Sequence, residues 1–287
     1  MRPGERGTAA EQLANLRRAV SALQPVLDER ALVITHGNGP QVGNELLRQE
    51  RAADEAPALP LWLAVAQTQA EIGALIVAEL HPALADRPIA CVLTHVRVAA
   101  DDPAFDRPTK PIGPFYSADQ GEQLKRERGW AMVSDANRGH RRVVPSPDAL
   151  EIMELEVIRT LAERNTVVIA CGGGGIPVVR RGNRLAGIDA VIDKDRASAL
   201  LARGLEAERL VILTEVPAVY RRFGEPAQEE IRELSGVEAE TLLPELAEGS
   251  MRPKVEAALT FGGETLITSI DALETAVAGN AGTRIHL

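Results

Sequence analysis

Thr35-His36-Gly37-Asn38-Gly39-Pro40-Gln41-Val42-Gly43 follows the apolar run Ala31-Leu32-Val33-Ile34, and the junction reads as a strand turning into a helix. Pro40 suits the first helical turn, where its missing N–H leaves no bond unmade. Gly37 and Gly39 let the backbone approach a ligand, and the unpaired N–H groups and dipole of a helix start favour negative charge there. The stretch predicts a phosphate or carboxylate site; a tight connection without ligand is the other reading of the same residues.

Outward from this junction, strand-like and helix-like segments alternate along the chain, the pattern of an α/β fold with a largely parallel sheet. Thr8 and Glu11 form a capping box ahead of Leu13, Leu16, Val20, Leu23 and Leu27 at helical spacing. Strands are expected at 31–34, 89–94, 166–171, 210–214, 265–269 and 283–287, and helices near 61–80, 149–163, 194–203, 236–247, 253–261 and 271–278. Gly182-Asn183, between Val178-Val179 and Leu185, reads as a tight hairpin turn. Between residues 99 and 147 the pattern changes. Pro103, Pro108, Pro111, Pro114, Pro145 and Pro147 bracket a charged helix candidate and the strand-like Trp130-Ala131-Met132-Val133. Residues 100–147 therefore read as an inserted subdomain, in which Lys110 is either a stiffly mounted cation over a neighbouring site or a solvated surface lysine.

The 287 residues are 45% hydrophobic and 25% charged, enough to bury one large core or two smaller ones. A net charge of -9 disfavours a broad nucleic-acid or anionic-membrane surface and leaves room for a local basic pocket. The longest apolar stretch, 59–80, is broken by Gln67, Gln69, Glu71 and Glu79, which favours an amphipathic helix over a membrane span. The first residues contain no apolar signal region, and Cys91 and Cys171 lie in short apolar runs that suggest buried strand thiols. The cytosol is the expected compartment.

Cys171-Gly172-Gly173-Gly174-Gly175-Ile176-Pro177 follows a strand and is expected to bring backbone donors against an anion. A dinucleotide fingerprint fits poorly: Pro177 replaces its last glycine, no helix follows directly, and Asp193 lies beyond the hairpin. No G-x-x-x-x-G-K-[ST] loop and no G-x-S-x-G elbow occurs, and the five histidines lack metal-ligand spacing. Asp193-Lys194-Asp195 and Gly249-Ser250-Met251-Arg252-Pro253-Lys254 each open a helix, where a lysine opposes the dipole. A local ion pair for Lys194 and a solvated Lys254 would account for either alone, whereas bound phosphate accounts for both together with the glycine loops. Phosphoryl transfer needs cations and N–H donors on the migrating oxygens and close in-line placement, with little covalent work from the protein. This inventory suits that chemistry.

Taken together, residues 35–43, Lys110-Pro111-Ile112-Gly113-Pro114-Phe115-Tyr116, Arg141-Arg142-Val143-Val144-Pro145-Ser146-Pro147, 172–178, Val191-Ile192-Asp193-Lys194-Asp195 and 249–254 resemble the carbamate kinases of the amino acid kinase superfamily. The resemblance runs over nearly the whole chain. It implies a single kinase-like domain over 1–287, a three-layer α/β/α sandwich with residues 100–147 as its inserted lid, and a homodimer. The implied reaction moves phosphate reversibly between Mg²⁺-ATP and carbamate to give ADP and carbamoyl phosphate, in arginine metabolism and usually in the ATP-forming direction. Gly37, Asn38 and Gly39 resemble part of the carbamate and phosphate cradle, with Gly172, Gly173 and Gly174 beside it. Lys110 resembles the lid lysine that reaches the cradle, Lys194 and Lys254 the lysines that neutralise the phosphoryl group, and Asp195 the aspartate that orients them. Thr214, Glu215, Val219, Tyr220, Met251 and Pro253 fall where the family holds nucleotide. Glu215 and Pro217 stand where aspartates are expected, and Arg252 where glycine is usual.

Family members begin with a strand ending in a Gly-Gly-Asn-Ala loop before a segment that resembles residues 2–20 here. The sequence starts after that loop, which leads to the expectation of weak or absent activity in the chain as written. Met1 as an internal methionine read as a start, and a degenerate, non-catalytic nucleotide-binding remnant, are the two explanations.

Overall fold

The capping box at Thr8 is closed in the structure, a computed structural model that describes residue 5 and residues 7–84, 86–135, 139–247 and 249–287. The expectation about a start at Met1 lies outside the described residues. Glu11 N–H donates to Thr8 Oγ1 (3.3 Å) while Glu11 Oε2 accepts from Thr8 N (2.8 Å), and the helix Ala9–Ala22 follows. Its Val20, with Leu27, packs on Ile72, Ile76 and Leu80 of the long helix Leu61–Leu80 and on the strand residues Val167 and Ile169. That long helix has the length and composition to cross a membrane, but Leu61, Ala64, Val65, Ile72 and Ile76 are buried inside the protein.

The molecule is a three-layer α/β/α sandwich. Its strands fall into a three-stranded parallel sheet, with Val167–Ile169 between Val33–Ile34 and Ile89–Cys91, and a four-stranded sheet in which Arg209–Thr214 and Glu264–Ser269 are parallel. Thr283–His286 pairs antiparallel to Glu264–Ser269 and parallel to Glu233–Ser235. Among the described residues, Val33–Ile34 and Arg209–Thr214 are edge strands of their sheets. The helix Lys194–Gly204 joins both sheets: Ala197 and Leu201 pack with Val168 and Ile158, whereas Ala199 and Ala202 pack with Ile212, Val255 and Ala258.

The Gly182-Asn183 turn closes the hairpin Ile176–Arg181/Arg184–Gly187, which His95–Arg97 extends in parallel. The expected helix over 149–163 is shorter, Leu155–Glu163. Its first residues are drawn into the strand Glu151–Ile152, paired with His95–Arg97, and Leu150 N and Met153 N donate to Arg97 O and His95 O at 2.9 and 3.0 Å. Sheet pairing overrides the local helical spacing there. The helix expected at 236–247 ends at Leu242 and gives way to a 3₁₀ turn, Leu243–Glu245, around Pro244. Cys171 is buried as expected, but Cys91, on its strand, is exposed.

The insert has its own antiparallel sheet, Lys110–Tyr116 and Met132–Asp135 flanking Gly139–Val144, with the helix Ala118–Arg128 between them. It leans on the helix Gly39–Arg51: a Cβ at Gly43 would lie 3.1 Å from the Gly113 Cα, and Glu50 meets Arg128 at 3.0 Å.

Two fully buried threonines of the C-terminal sheet differ in one respect. Thr283 Oγ1 accepts from Val219 N (2.8 Å) and donates to Ile231 O, tying the Val219–Arg221/Glu229–Ile231 hairpin to the sheet, whereas Thr265 Oγ1 has no partner among the described residues. Thr283→Val should therefore cost about 1–3 kcal/mol by leaving a buried N–H unpaired, while Thr265→Val, of the same shape, should be neutral or stabilising. Urea melts of the two variants check this; equal losses would contradict it.

Candidate active site

Two glycine loops meet beneath the start of the Lys194–Gly204 helix, and they are built differently. In the first, the N–H groups of Gly37, Asn38 and Gly39 have no partner among the described residues, and Asn38 does not cap the Gly39–Arg51 helix with its side chain. That helix start faces a cavity of about 520 Å³ lined by His36 to Gln41, Lys110, Gly173, Val191 to Asp195, Gly249, Ser250, Pro253 and Lys254. Open donors at a thirteen-residue helix supply the positive potential an anion needs.

In the second loop the expected donors are already engaged. Gly173 N donates to His36 O (2.7 Å), Gly174 N to Cys171 O (3.0 Å) and Gly175 N to Gly172 O (3.1 Å). The loop is a tightly closed turn, with φ of 67°, 92° and 87° at these three glycines, and of the 172–174 run only Gly173 lines the cavity. It serves as a seat for the first loop. Asn38, 2% exposed, donates through Nδ2 to Thr68 Oγ1 (3.0 Å), and its amide occupies the space that a Cβ on Gly173 would need. Asn38 thus locks the loops together through its side chain at the cavity wall.

The charged groups stand on three elements. Asp193 caps the Lys194–Gly204 helix by accepting from Asp195 N (2.9 Å) and Arg196 N (3.3 Å). Lys194 then lays its stem on Gly37, where a Cβ would be 3.3 Å from the lysine Cδ, which explains the small residue at this position. Lys194 Nζ donates to Asp195 Oδ1 at 2.6 Å, and Lys254 Nζ, from the helix Arg252–Phe261, donates to Asp195 Oδ2 at 3.0 Å. Asp195 is 6% exposed, so a buried carboxylate spaces two lysines delivered by two helices. Lys110 arrives from the insert and donates to Asp193 Oδ2 at 2.7 Å. Three lysines against two aspartates leave the cavity with an excess positive charge beside open N–H donors.

Burial works against ionisation of Asp193, but the charge and hydrogen bond of Lys110, with the N–H groups of Arg196 and Asp195, prevail and hold its pKa below the ordinary value. His36 goes the other way: burial lowers its pKa, only partly offset by the Gly37 carbonyl that accepts from Nδ1 at 3.2 Å. Its Nε2 is buried without a partner among the described residues.

Pro253, among the residues expected at the nucleotide, lines the cavity; Thr214, Glu215, Val219, Tyr220 and Met251 lie outside its lining. Val219 is fully buried in the C-terminal core, against which Met251 packs, and Tyr220 stands beside Phe223 with ring centroids 5.9 Å apart. Sequence reasoning did not anticipate the N-terminal helix as a wall. Gln12, Asn15 and Leu16 line the cavity, and Gln12 Oε1 accepts from Gln41 Nε2 (2.8 Å) while its amide donates to Glu71 (3.1 Å). The capping box placed this helix, but nothing in its spacing indicates which polar residue turns inward.

The amino acid kinase family model matches residues 4–265 of the chain. Carbamate kinase 2 of Staphylococcus aureus (strain MRSA252) is 44% identical over 294 residues, spanning 98% of this chain and 94% of the relative. The carbamate kinase of Giardia lamblia bound to AMP-PNP superposes with a TM-score of 0.92 at 36% identity, covering 100% of this chain and 94% of that one. A protein of Aeropyrum pernix K1 also gives a TM-score of 0.92, at 39% identity, with 100% and 96% of the two chains covered.

Gly173 and Gly182 share a left-handed backbone, φ 67° and 59°, but a Cβ on Gly182 meets nothing within 4 Å whereas one on Gly173 would strike the Asn38 amide. Gly182→Ala should cost about 1 kcal/mol for backbone strain alone, and Gly173→Ala at least about 2 kcal/mol more. Chemical denaturation measures both; similar losses would show that the loops are not wedged by Asn38.

Proposed function

Because the chain belongs to the amino acid kinase family, on its carbamate kinase branch, we propose that it catalyses reversible phosphoryl transfer between carbamoyl phosphate and Mg²⁺-ADP. The observation that carries this reading is the pair Lys194 and Lys254 held on the two oxygens of Asp195, at 2.6 and 3.0 Å, beside the N–H groups of Gly37 to Gly39, which have no partner among the described residues. In the ATP-forming direction a terminal oxygen of ADP attacks phosphorus in line. The bond from phosphorus to the carbamate oxygen breaks and its electron pair leaves with carbamate. Charge spreads over the three equatorial oxygens as this happens, and fixed cations and N–H dipoles aimed there lower the barrier without reorganising.

In this reading Lys194 and Lys254 flank the migrating group, and Asp195 holds them apart and in place. The 37–39 loop receives the carbamate and phosphate end, and Lys110, carried by the 100–147 insert acting as a lid, covers it. The nucleotide approaches along Thr214, Glu215, Tyr220 and Met251, with Pro253 at the cavity wall, while Val219, fully buried, backs this path from the core. Mg²⁺ enters on the nucleotide's phosphates as part of the substrate. Both aspartates of the site are already engaged by lysines. A homodimer in the cytoplasm, working in arginine metabolism, completes the proposal.

The test is ATP formation from ADP, Mg²⁺ and carbamoyl phosphate. Wild-type protein should turn over, against the weak or absent activity expected from its sequence, and Lys254→Ala should lose at least about 10²-fold in kcat, the scale of one fixed transition-state donor. Folded wild-type protein that binds Mg²⁺-ADP and forms no ATP would overturn the reading in favour of a nucleotide-binding remnant.

A further inference from the structure

The two aspartates of the cavity divide the lysines between them. Asp195 takes Lys194 and Lys254, both from the body of the protein, and Asp193 takes Lys110, the one that comes from the insert. Asp193 uses its oxygens for separate tasks: Oδ1 accepts from Asp195 N and Arg196 N at the helix start, and Oδ2 accepts from Lys110 Nζ at 2.7 Å. Lys110 is the first residue of its strand and is followed by Pro111, so the cation sits on a stiff mount. At the far end the insert is fastened independently, through Glu50 to Arg128 at 3.0 Å and to Tyr116 Oη at 3.4 Å. The Lys110–Asp193 contact can therefore exchange partners without releasing the whole insert. The two side chains are 34% and 16% exposed, so the pair is only partly withdrawn from water, and an anion arriving in the cavity can compete for the ammonium.

We propose that Asp193 is a positioning residue that holds Lys110 as a counter-ion before substrate binds and yields it to the phosphate of the substrate. This rests on the phosphoryl-transfer reading above and adds a partner exchange to it: Lys110 leaves a carboxylate for a phosphate oxygen, while the helix cap on Oδ1 stays intact. The carboxylate lowers phosphate affinity and, in return, keeps the lid cation poised over the 37–39 loop.

The test is the affinity of the folded protein for inorganic phosphate, measured by calorimetry without turnover. Asp193→Asn and, as a second variant that also retains a capping oxygen, Asp193→Ser remove the competing charge. Both should bind phosphate roughly three- to fivefold more tightly than wild type, the scale of a partly exposed ion pair. That gain should vanish when Lys110→Gln is present in the same chain, which a merely structural role for Asp193 would not require. Unchanged or weaker binding in both variants, no binding in any form, or a gain that survives Lys110→Gln would overturn the proposal. Wild-type ATP formation alongside unchanged phosphate affinity would remove this exchange and leave the kinase reading standing, whereas the predicted gain without any ATP formation would do the reverse.

Discussion

The site depends on one buried carboxylate. Asp195 is 6% exposed and accepts from two lysines whose helices begin about sixty residues apart in the chain. Without it, two ammonium groups would face each other at helix starts whose dipoles already disfavour them. With it, both cations are held at fixed spacing on rigid elements. The surrounding fold serves this arrangement. Lys194–Gly204 packs on both main sheets, and Glu256 of the Arg252–Phe261 helix accepts from Arg196 of the former at 3.0 Å, so the two lysine-bearing helices are braced next to the site.

The glycine loops show the same economy of parts. Thr35, at the entrance to the first loop, donates to Ser198 Oγ at 2.8 Å, and Ser198 donates in turn to the Lys194 carbonyl at 2.7 Å. The cavity-facing helix start and the lysine-bearing helix are therefore joined through two hydroxyls. The second loop supports the first from below, with Asn38 wedged against Gly173. The first loop's 37–39 N–H groups have no partner among the described residues, whereas the second has turned its 173–175 donors inward.

Much of this was legible in the residues. The 35–43 stretch announced its strand, turn and helix, and the lysines at two helix starts called for a compensating partner, which Asp195 supplies to both. The Gly182-Asn183 hairpin was equally plain. The second glycine loop was misread because glycine content marks a backbone free to turn, and the direction of its N–H groups depends on contacts made elsewhere, here with His36 O. Strands of two or three residues, such as Glu151–Ile152 and His95–Arg97, carry too little alternation to be seen, and pairing across more than fifty positions drew them out. Asn38 looked like a ligand contact; its partner Thr68 lies thirty residues away on another helix, a distance that no local pattern bridges. The family resemblance pointed to Lys110, Lys194, Asp195 and Lys254, which the structure brings to one cavity. It said nothing of Asp193 as the partner of Lys110.

The claim that Asp195 spaces two lysines for a migrating phosphoryl group is tested most directly with a mimic of that group. Binding of Mg²⁺-ADP should be measured with and without carbamate and aluminium fluoride, in wild type and in Asp195→Asn. The wild type should bind the mimic complex at least about tenfold more tightly than Mg²⁺-ADP alone, and Asp195→Asn should retain Mg²⁺-ADP but lose that preference. An Asp195→Asn protein that keeps the full preference would contradict the account.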